Sequence, residues 1–369
     1  MSEKSVYPSV HAHRVIFIDL ARALAVVLMV AGHTSSALLA DNYRAGRWFD
    51  VWMFQRGLTS ALFLLLAGFA FSIATTRHWS QHLRLSGTVV KRLRRFGLFV
   101  ILGYGLHFPV LHFSELAATT QAQWQSFVTV DVLQLIGVTL IALQLLALVA
   151  RTRRVFMVAA FGAAVALIAA SPATWQTDWT MLMPLPLAAY FSPATGSLFP
   201  LFPWAAYVFA GAGAGLLYAR WGAAHLVSFA RWGMLAPGAL LIAAGLVVWS
   251  GIPGDVAIRT GVCGLILGLI AIVSRHVSQL PHVFGAVAQE SLVVYFVHLC
   301  IVYGSIWNPG LAGFYGGRLT PLPTVVAVFA VVMAMIGLAW QWNRLKHVRP
   351  RTARWVSLAA GAFLVGRLL

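Results

Sequence analysis

The sequence predicts an all-α fold, a polytopic bundle of transmembrane helices, from three observations. Of the 369 residues, 60% are hydrophobic and only 9% are charged, whereas roughly a quarter of the residues in a soluble domain are charged. Apolar runs long enough to cross a bilayer as helices recur along the chain. Basic residues collect in short clusters between those runs, which is typical of cytoplasmic loops.

Ten apolar runs are predicted to be transmembrane spans. They lie near residues 15–39, 57–76, 92–111, 127–150, 154–171, 200–219, 233–250, 256–274, 286–307 and 322–342. The last apolar run, 355–369, is shorter and forms either an eleventh span or an interfacial helix. The predicted organisation is a short cytoplasmic tail at 1–13, a single transmembrane domain at 14–343, and a basic cytoplasmic segment with a short hydrophobic helix at 344–369.

The distribution of lysine and arginine predicts a cytoplasmic N-terminus. In that orientation nineteen basic residues fall on the cytoplasmic side and five on the outer side. The five are Arg44, Arg47, Arg56, Arg259 and Arg318. Topology therefore accounts for the formal net charge of +17, and we expect a lipid bilayer rather than nucleic acid as the partner.

Polar residues inside the first span form a stripe along one face. Asp19, Arg22 and His33 project within about 60° of one another at 100° per residue, and His33 lies about 21 Å along the axis from Asp19. Asp19 and Arg22 are interpreted first as a structural ion pair, although they are also candidates for lining a substrate path. His33 is a candidate catalytic residue, because ionisable groups within a membrane are usually functional.

The fourth and ninth predicted spans carry further polar groups. Asp131 and Gln134 lie near the expected depth of His33, where an acid fixes the tautomer of a histidine; the alternative is a helix-capping Asp with an interhelical Gln. Ser291, Tyr295 and His298 share one helix face, either as an interhelical seam or as a cavity wall. We favour the seam for Ser291 and the cavity, with a catalytic role, for His298.

The cluster Lys91-Arg92-Leu93-Arg94-Arg95 precedes the apolar part of the third span. It is either purely topogenic or a site for the phosphates of a ligand, because guanidinium groups bind phosphate with two hydrogen bonds. No metal site is predicted, since His78 and His82 have helical ligand spacing but no third ligand. The alternation of Gly211, Gly213 and Gly215 with alanine inside a span indicates close helix packing, not nucleotide binding.

Read in order, several of these segments resemble the transmembrane acyltransferase superfamily. The opening segment Ile18-Asp19-Leu20-Ala21-Arg22 with Gly32-His33, the second-helix segment from Leu62 to Phe69, and the basic run from Lys91 to Arg95 are similar to it. So are the segments Val132 to Gly137, Pro200 to Trp204, and Ser291 to His298. The resemblance is greatest to the bacterial branch related to heparan-α-glucosaminide N-acetyltransferase, which is allied to the acyltransferase-3 proteins. Ala23 stands where that family usually has glycine.

The resemblance implies a membrane-embedded acyltransferase of the bacterial inner membrane. Acetyl-CoA or another acyl-CoA is the expected donor, and a hydroxyl or amine of an extracytoplasmic acceptor, a glycan, receives the acyl group. Arg92, Arg94 and Arg95 are expected to hold the CoA phosphates. His33 is expected to deprotonate the acceptor or to carry the acyl group transiently. Gln134, Tyr295 or His298 is expected to donate a hydrogen bond to the developing oxyanion.

The alternative function is a proton-coupled transporter or flippase. Asp19, Asp131 and Glu290, the acids within the predicted spans, would then serve as proton or ion relays. The absence of a recognisable internal repeat disfavours this alternative. An oligomer is compatible with either function.

Overall fold

The computed structural model describes residues 15–110, 112–305 and 308–366, and the regular structure there is helical. The helices are α1 (Ile16–Leu38), α2 (Arg47–Arg77), α3 (Gly87–Leu106), α4 (Gln121–Val128), α5 (Val132–Ala150), α6 (Arg153–Gln176), α7 (Leu185–Ala188), α8 (Leu201–Gly222), α9 (Leu226–Val247), α10 (Gly251–Ser274), α11 (His282–Gln289), α12 (Ser291–Val302), α13 (Gly310–Tyr315), α14 (Pro321–Val348) and α15 (Pro350–Gly366). The prediction of an all-α fold is confirmed.

Eight of the described helices are long and apolar enough to cross a membrane: α1, α2, α5, α6, α8, α9, α10 and α14. The pair α11 and α12 would make a ninth span, with a bend of 75° where the ninth predicted span was expected to be one helix. α3 overlaps the predicted span 92–111 but does not meet the same criterion. Its first half contains the Lys91–Arg95 cluster, which leaves only a short apolar part.

Several predictions fall partly outside the described residues. They are the cytoplasmic tail at 1–13 with Lys4, the basic residue Arg14, the last residue of the predicted span 92–111, residues 306–307 of the ninth span, and residues 367–369 of the C-terminal run, including Arg367. The division of the chain into tail, transmembrane domain and C-terminal segment stays a prediction.

Small residues bring α2 and α8 into backbone contact. A methyl group added to Gly68 of α2 would overlap the backbone carbonyl of Val208, and one added to Gly211 of α8 would overlap the carbonyl of Leu65. Such close approach lets helices pack through dispersion contacts where lipid removes the hydrophobic drive. The glycine-alanine alternation in α8 is thus a packing surface, as predicted.

An ion pair between a buried carboxylate and an exposed lysine stands at the bend between α11 and α12. Glu290 is only 3% exposed, and its carboxylate accepts hydrogen bonds from Lys346 Nζ at 2.7 Å and from Asn343 Nδ2 at 2.9 Å. Both donors lie on α14, so the bent pair is fixed to the last long helix. Glu290 is therefore engaged in a structural contact.

We expect Lys346→Ala to destabilise the protein by about 2 kcal/mol, because it leaves the buried carboxylate of Glu290 without its cation. Thermal unfolding of the purified protein in detergent measures this loss. The double variant Lys346→Ala with Glu290→Gln should recover part of it, since a neutral amide still accepts from Asn343. A double variant as unstable as Lys346→Ala alone would contradict the ion-pair explanation.

Candidate active site

A large cavity lies at the end of the bundle where α1 ends and α2 begins, here called the His33 end. Its volume is about 790 Å³, within the range of ligand-binding pockets. Its walls come from α1, α2, α3, α5, α8, α10 and α12. Some of these helices run toward the His33 end and others away from it, so C-terminal ends and N-terminal ends meet around the cavity. The polar lining residues are His33, Arg56, Thr59, Ser60, His107, Asp131, Trp204, Asp255, Arg259, Tyr295, Tyr303 and Ser305.

His33 and His298 form a hydrogen-bonded pair at the wall of this cavity. The Nδ1 atom of His33 lies 2.8 Å from Nε2 of His298, and the two rings are nearly coplanar at 12°. The ring centroids are 5.1 Å apart, which is the separation of two rings that meet edge to edge along such a bond. This pairing joins α1 to α12 and confirms that the polar face of α12 is turned toward His33.

The backbone sets the direction of the hydrogen bond between the two histidines. His298 is fully buried, and its Nδ1 lies 2.8 Å from the carbonyl oxygen of Val294. A carbonyl only accepts, so Nδ1 of His298 carries a proton and donates it; Nε2 of a neutral His298 is then an acceptor. His33 accordingly donates from Nδ1, which leaves the lone pair of its Nε2 unused by this pair. That lone pair makes His33 the candidate base of the site.

Two tyrosines of the α12 segment lie beside the pair. The ring of Tyr303 meets His33 edge-on at 5.8 Å, and its hydroxyl donates to the His33 backbone carbonyl at 3.4 Å. The ring of Tyr295 contacts His298 at 5.5 Å with an interplanar angle of 81°. Tyr295 is also part of the cavity lining.

Asp131 lines the cavity, but its contacts differ from the expectation that it orients His33. It is the N-cap residue of α5, where Oδ1 accepts from the Val132 backbone N–H at 2.6 Å and the Gln134 side chain completes a capping box. Its other oxygen lies 3.5 Å from His107 Nε2. The helix-capping interpretation therefore describes Asp131, whereas Gln134 bonds within the same cap and to the Thr129 carbonyl, not to another helix. His298 takes the orienting position at His33.

Among the cavity residues missed as site candidates are Arg56, His107 and Arg259. Arg259 pairs with Asp255 at 2.7 Å. The aliphatic part of Arg56 packs over Gly32, next to His33 in the chain, and among the described residues no carboxylate lies within salt-bridge distance of it. Both arginines were available in the sequence as basic residues on the side where lysine and arginine are scarce.

Asp19 and Arg22 lie at the other end of α1, away from this cavity. Arg22 Nη2 donates to Ser291 Oγ at 3.2 Å, which supports the seam expected for Ser291. Neither residue belongs to the cavity lining. The structure thus separates the polar stripe of α1 into a helix-contact end and a cavity end, about 21 Å apart.

Arg92 is largely committed to contacts within the protein. Its Nη1 donates to Thr75 Oγ1 at 2.8 Å, and its guanidinium lies 4.6 Å from the centre of the Phe71 ring. It also contacts the buried His82, whose pKa is lowered by burial and then by the charge of Arg92. The side chains of Arg94 and Arg95 are exposed. The cavity lining includes none of these three arginines.

Within residues 15–110, 112–305 and 308–366, no group of three or more His, Cys, Asp or Glu side chains is arranged to hold a metal ion. The groups that the cavity lining presents include imidazole, phenol, guanidinium and carboxylate side chains. A neutral imidazole lone pair facing a polar cavity suits proton abstraction or nucleophilic attack.

Comparison with known families identifies the chain. The family model for heparan-alpha-glucosaminide N-acetyltransferase, catalytic, matches residues 14–250. The chain belongs to this family. The match begins just before α1 and includes His33, the arginine cluster and Asp131, whereas Tyr295 and His298 lie beyond its end. No curated protein matches the chain by sequence.

Membership in the heparan-α-glucosaminide N-acetyltransferase family makes the chain an enzyme of the acetyltransferase type. Together with the eight candidate spans, it also makes the chain an integral membrane protein. Acetyl-CoA is the donor used in this family and is consistent with the exposed guanidinium groups of Arg94 and Arg95. The resemblance noted from the sequence is confirmed.

We expect Arg92→Ala to destabilise the protein by about 1–2 kcal/mol, because it removes a hydrogen bond to Thr75 and a cation–π contact with Phe71. Arg94→Ala and Arg95→Ala should leave the melting temperature in detergent unchanged, since their side chains are exposed. Equal melting temperatures for all three variants would show that Arg92 has no structural role.

Proposed function

We propose that this protein transfers an acetyl group from cytosolic acetyl-CoA to a hydroxyl or amine of an extracytoplasmic acceptor, a glycan, and that His33 is the base. The observation that carries the proposal is the free Nε2 lone pair of His33 at the wall of a large cavity that contains several other polar groups. Family membership supplies the reaction type, and the histidine pair supplies a group able to perform it. The orientation proposed from the basic residues puts the His33 end on the outer side.

The proton path follows from the hydrogen bonds of the pair. Nε2 of His33 removes the proton from the acceptor hydroxyl or amine as that atom attacks the thioester carbon. The carbon–sulfur bond then breaks, and CoA leaves as a thiolate. His33 gives this thiolate the proton that it took from the acceptor. Throughout, the bond from Nδ1 of His33 to His298 keeps the reactive nitrogen turned to the cavity.

The donor would bind at the opposite end of α3. We assign its phosphates to Arg94 and Arg95, whose side chains are exposed, and leave Arg92 in its structural contacts. Twelve residues separate Arg95 from His107 at the cavity, about 18 Å at 1.5 Å per residue. The pantetheine arm of the donor would cover that distance within the bundle.

The contacts of two of the three intramembrane acids, Glu290 and Asp131, favour the acyltransferase over a transporter. A relay residue must exchange its proton, but Glu290 is held by Lys346 and Asn343 at the helix bend. Asp131 caps α5. Catalysis needs neither acid to move a proton across the bilayer, so these structural contacts are compatible with it.

We expect His33→Ala to reduce acetyl transfer by about 10²–10⁴-fold, the range for loss of a general base. The assay uses the purified full chain, radiolabelled acetyl-CoA and methyl α-glucosaminide as the acceptor. His225→Ala is the matched control, because His225 is exposed on a loop away from the cavity. Undiminished transfer by His33→Ala would remove His33 from the mechanism.

Substitutions of His298 extend the same assay. His298→Gln keeps a hydrogen-bond acceptor for Nδ1 of His33 and should retain more activity than His298→Leu, which removes it.

The same assay distinguishes direct transfer from an acyl-histidine intermediate. Radiolabelled acetyl that stays on the protein when no acceptor substrate is present, and that hydroxylamine releases, would identify an acyl-histidine.

For the donor site, we expect Arg94→Glu and Arg95→Glu each to weaken CoA binding by about tenfold or more, since a charge-assisted hydrogen bond contributes about 1.5–3 kcal/mol. Isothermal titration with CoA measures the Kd. Arg154→Glu, another exposed arginine near that end of the bundle, is the matched control. Unchanged affinity in both cluster variants would make the cluster purely topogenic.

A further inference from the structure

Acyl transfer needs a hydrogen-bond donor for the carbonyl oxygen of the acyl group. Negative charge develops on that oxygen when the acceptor adds to the thioester carbon, and a donor held in place stabilises it more than mobile water does. The sequence offered three candidates, Gln134, Tyr295 and His298. The hydrogen bonds of the structure distinguish among them.

Neither Gln134 nor His298 can donate to a group in the cavity, because Gln134 does not line it and His298 has no free N–H. Gln134 is fully buried; its oxygen accepts from the Asp131 N–H at 3.3 Å and its amide nitrogen donates to Thr129 O at 3.4 Å. The only N–H of neutral His298 donates to Val294 O, and its other nitrogen accepts from His33. Both side chains are used in positioning other groups.

Tyr295 is the candidate whose donor is unused. The residue is 3% exposed and lines the cavity, yet its hydroxyl makes no hydrogen bond to any residue in the described part of the chain. The hydroxyl oxygen is not among the fully buried side-chain atoms that lack a hydrogen-bond partner, so a molecule in the cavity can reach it. Phenylalanine would fill the same volume in the core, so the hydroxyl is the part of Tyr295 that packing does not explain.

Other donors in the lining are either paired or more exposed. The Tyr303 hydroxyl donates to His33 O, and Thr59 donates to Gln55 O at 3.1 Å. Arg56, Ser60 and Trp204 are only partly buried, so water in the cavity can satisfy them. Tyr295 also lies one helical turn before His298, with its ring against that imidazole.

We propose that the hydroxyl of Tyr295 donates the hydrogen bond that stabilises the oxyanion during acyl transfer. This role rests on the proposed function. As the bond from the acceptor atom to the carbonyl carbon forms, the carbonyl oxygen gains the electron pair and accepts from Tyr295. When the carbon–sulfur bond breaks, the carbonyl re-forms, the thiolate takes the acceptor's proton from His33, and Tyr295 keeps its own proton.

The test is Tyr295→Phe in the purified full chain, assayed with acetyl-CoA and methyl α-glucosaminide. We expect kcat to fall about 10²–10³-fold, the effect of removing one oxyanion donor, with the KM of both substrates nearly unchanged. Tyr207→Phe is the matched control: Tyr207 is 2% exposed and does not line the cavity, so its variant should keep full activity.

The outcomes separate this role from the others. An unchanged kcat overturns the proposal. If KM rises while kcat is unchanged, Tyr295 is a residue that binds substrate and not one that stabilises the oxyanion. A melting temperature lowered more than by Tyr207→Phe overturns it too, by making the hydroxyl structural. A wild-type protein that transfers no acetyl group overturns the proposed function and this proposal with it.

Discussion

The hydrogen bond between His33 and His298 is the contact on which the arrangement of the site depends. It connects α1 with α12, whose residues are far apart in the chain, and it selects one tautomer for each ring. At the other end of the same two helices, Arg22 donates to Ser291. These two polar contacts fix the register of α1 against α12, because each would lose its partner if either helix shifted by a turn. The α12 side of the pair lies beyond the residues matched by the family, so the site needs both parts of the chain.

The bend before α12 explains how His298 reaches His33. A straight helix over 282–302 would point in one direction, whereas the break at Glu290 turns α12 by 75° relative to α11. A bend exposes backbone groups that a continuous helix would pair. The ion pair of Glu290 with Lys346 stabilises this break by anchoring it to α14. The buried carboxylate of Glu290 thus contributes to the position of His298 opposite His33.

The sequence predicted elements and faces better than it predicted contacts between helices. Hydropathy located most of the spans, and helical spacing placed Ser291, Tyr295 and His298 on one face. Spacing within a helix cannot show which neighbour a face meets, so Asp131 was expected at His33 in the position that His298 occupies. The count of ten spans differs from the eight or nine that qualify among the described residues, because charges occupy half of α3. Arg92 shows the same limit: its neighbours Arg94 and Arg95 are exposed, and only the fold reveals that Thr75 and Phe71 hold it.

The five basic residues on the predicted outer side carry information that the topology does not explain. Lysine and arginine on the side where they are scarce do not help to set topology, so each needs another physical reason to be there. Arg44 donates to the carbonyls of Ser36 and Leu39 at the end of α1, which stabilises the helix terminus a few residues beyond His33. Arg56 and Arg259 line the cavity itself. Arg56 and Arg259 therefore mark the cavity end of the bundle in the sequence, because topology does not require a charge there.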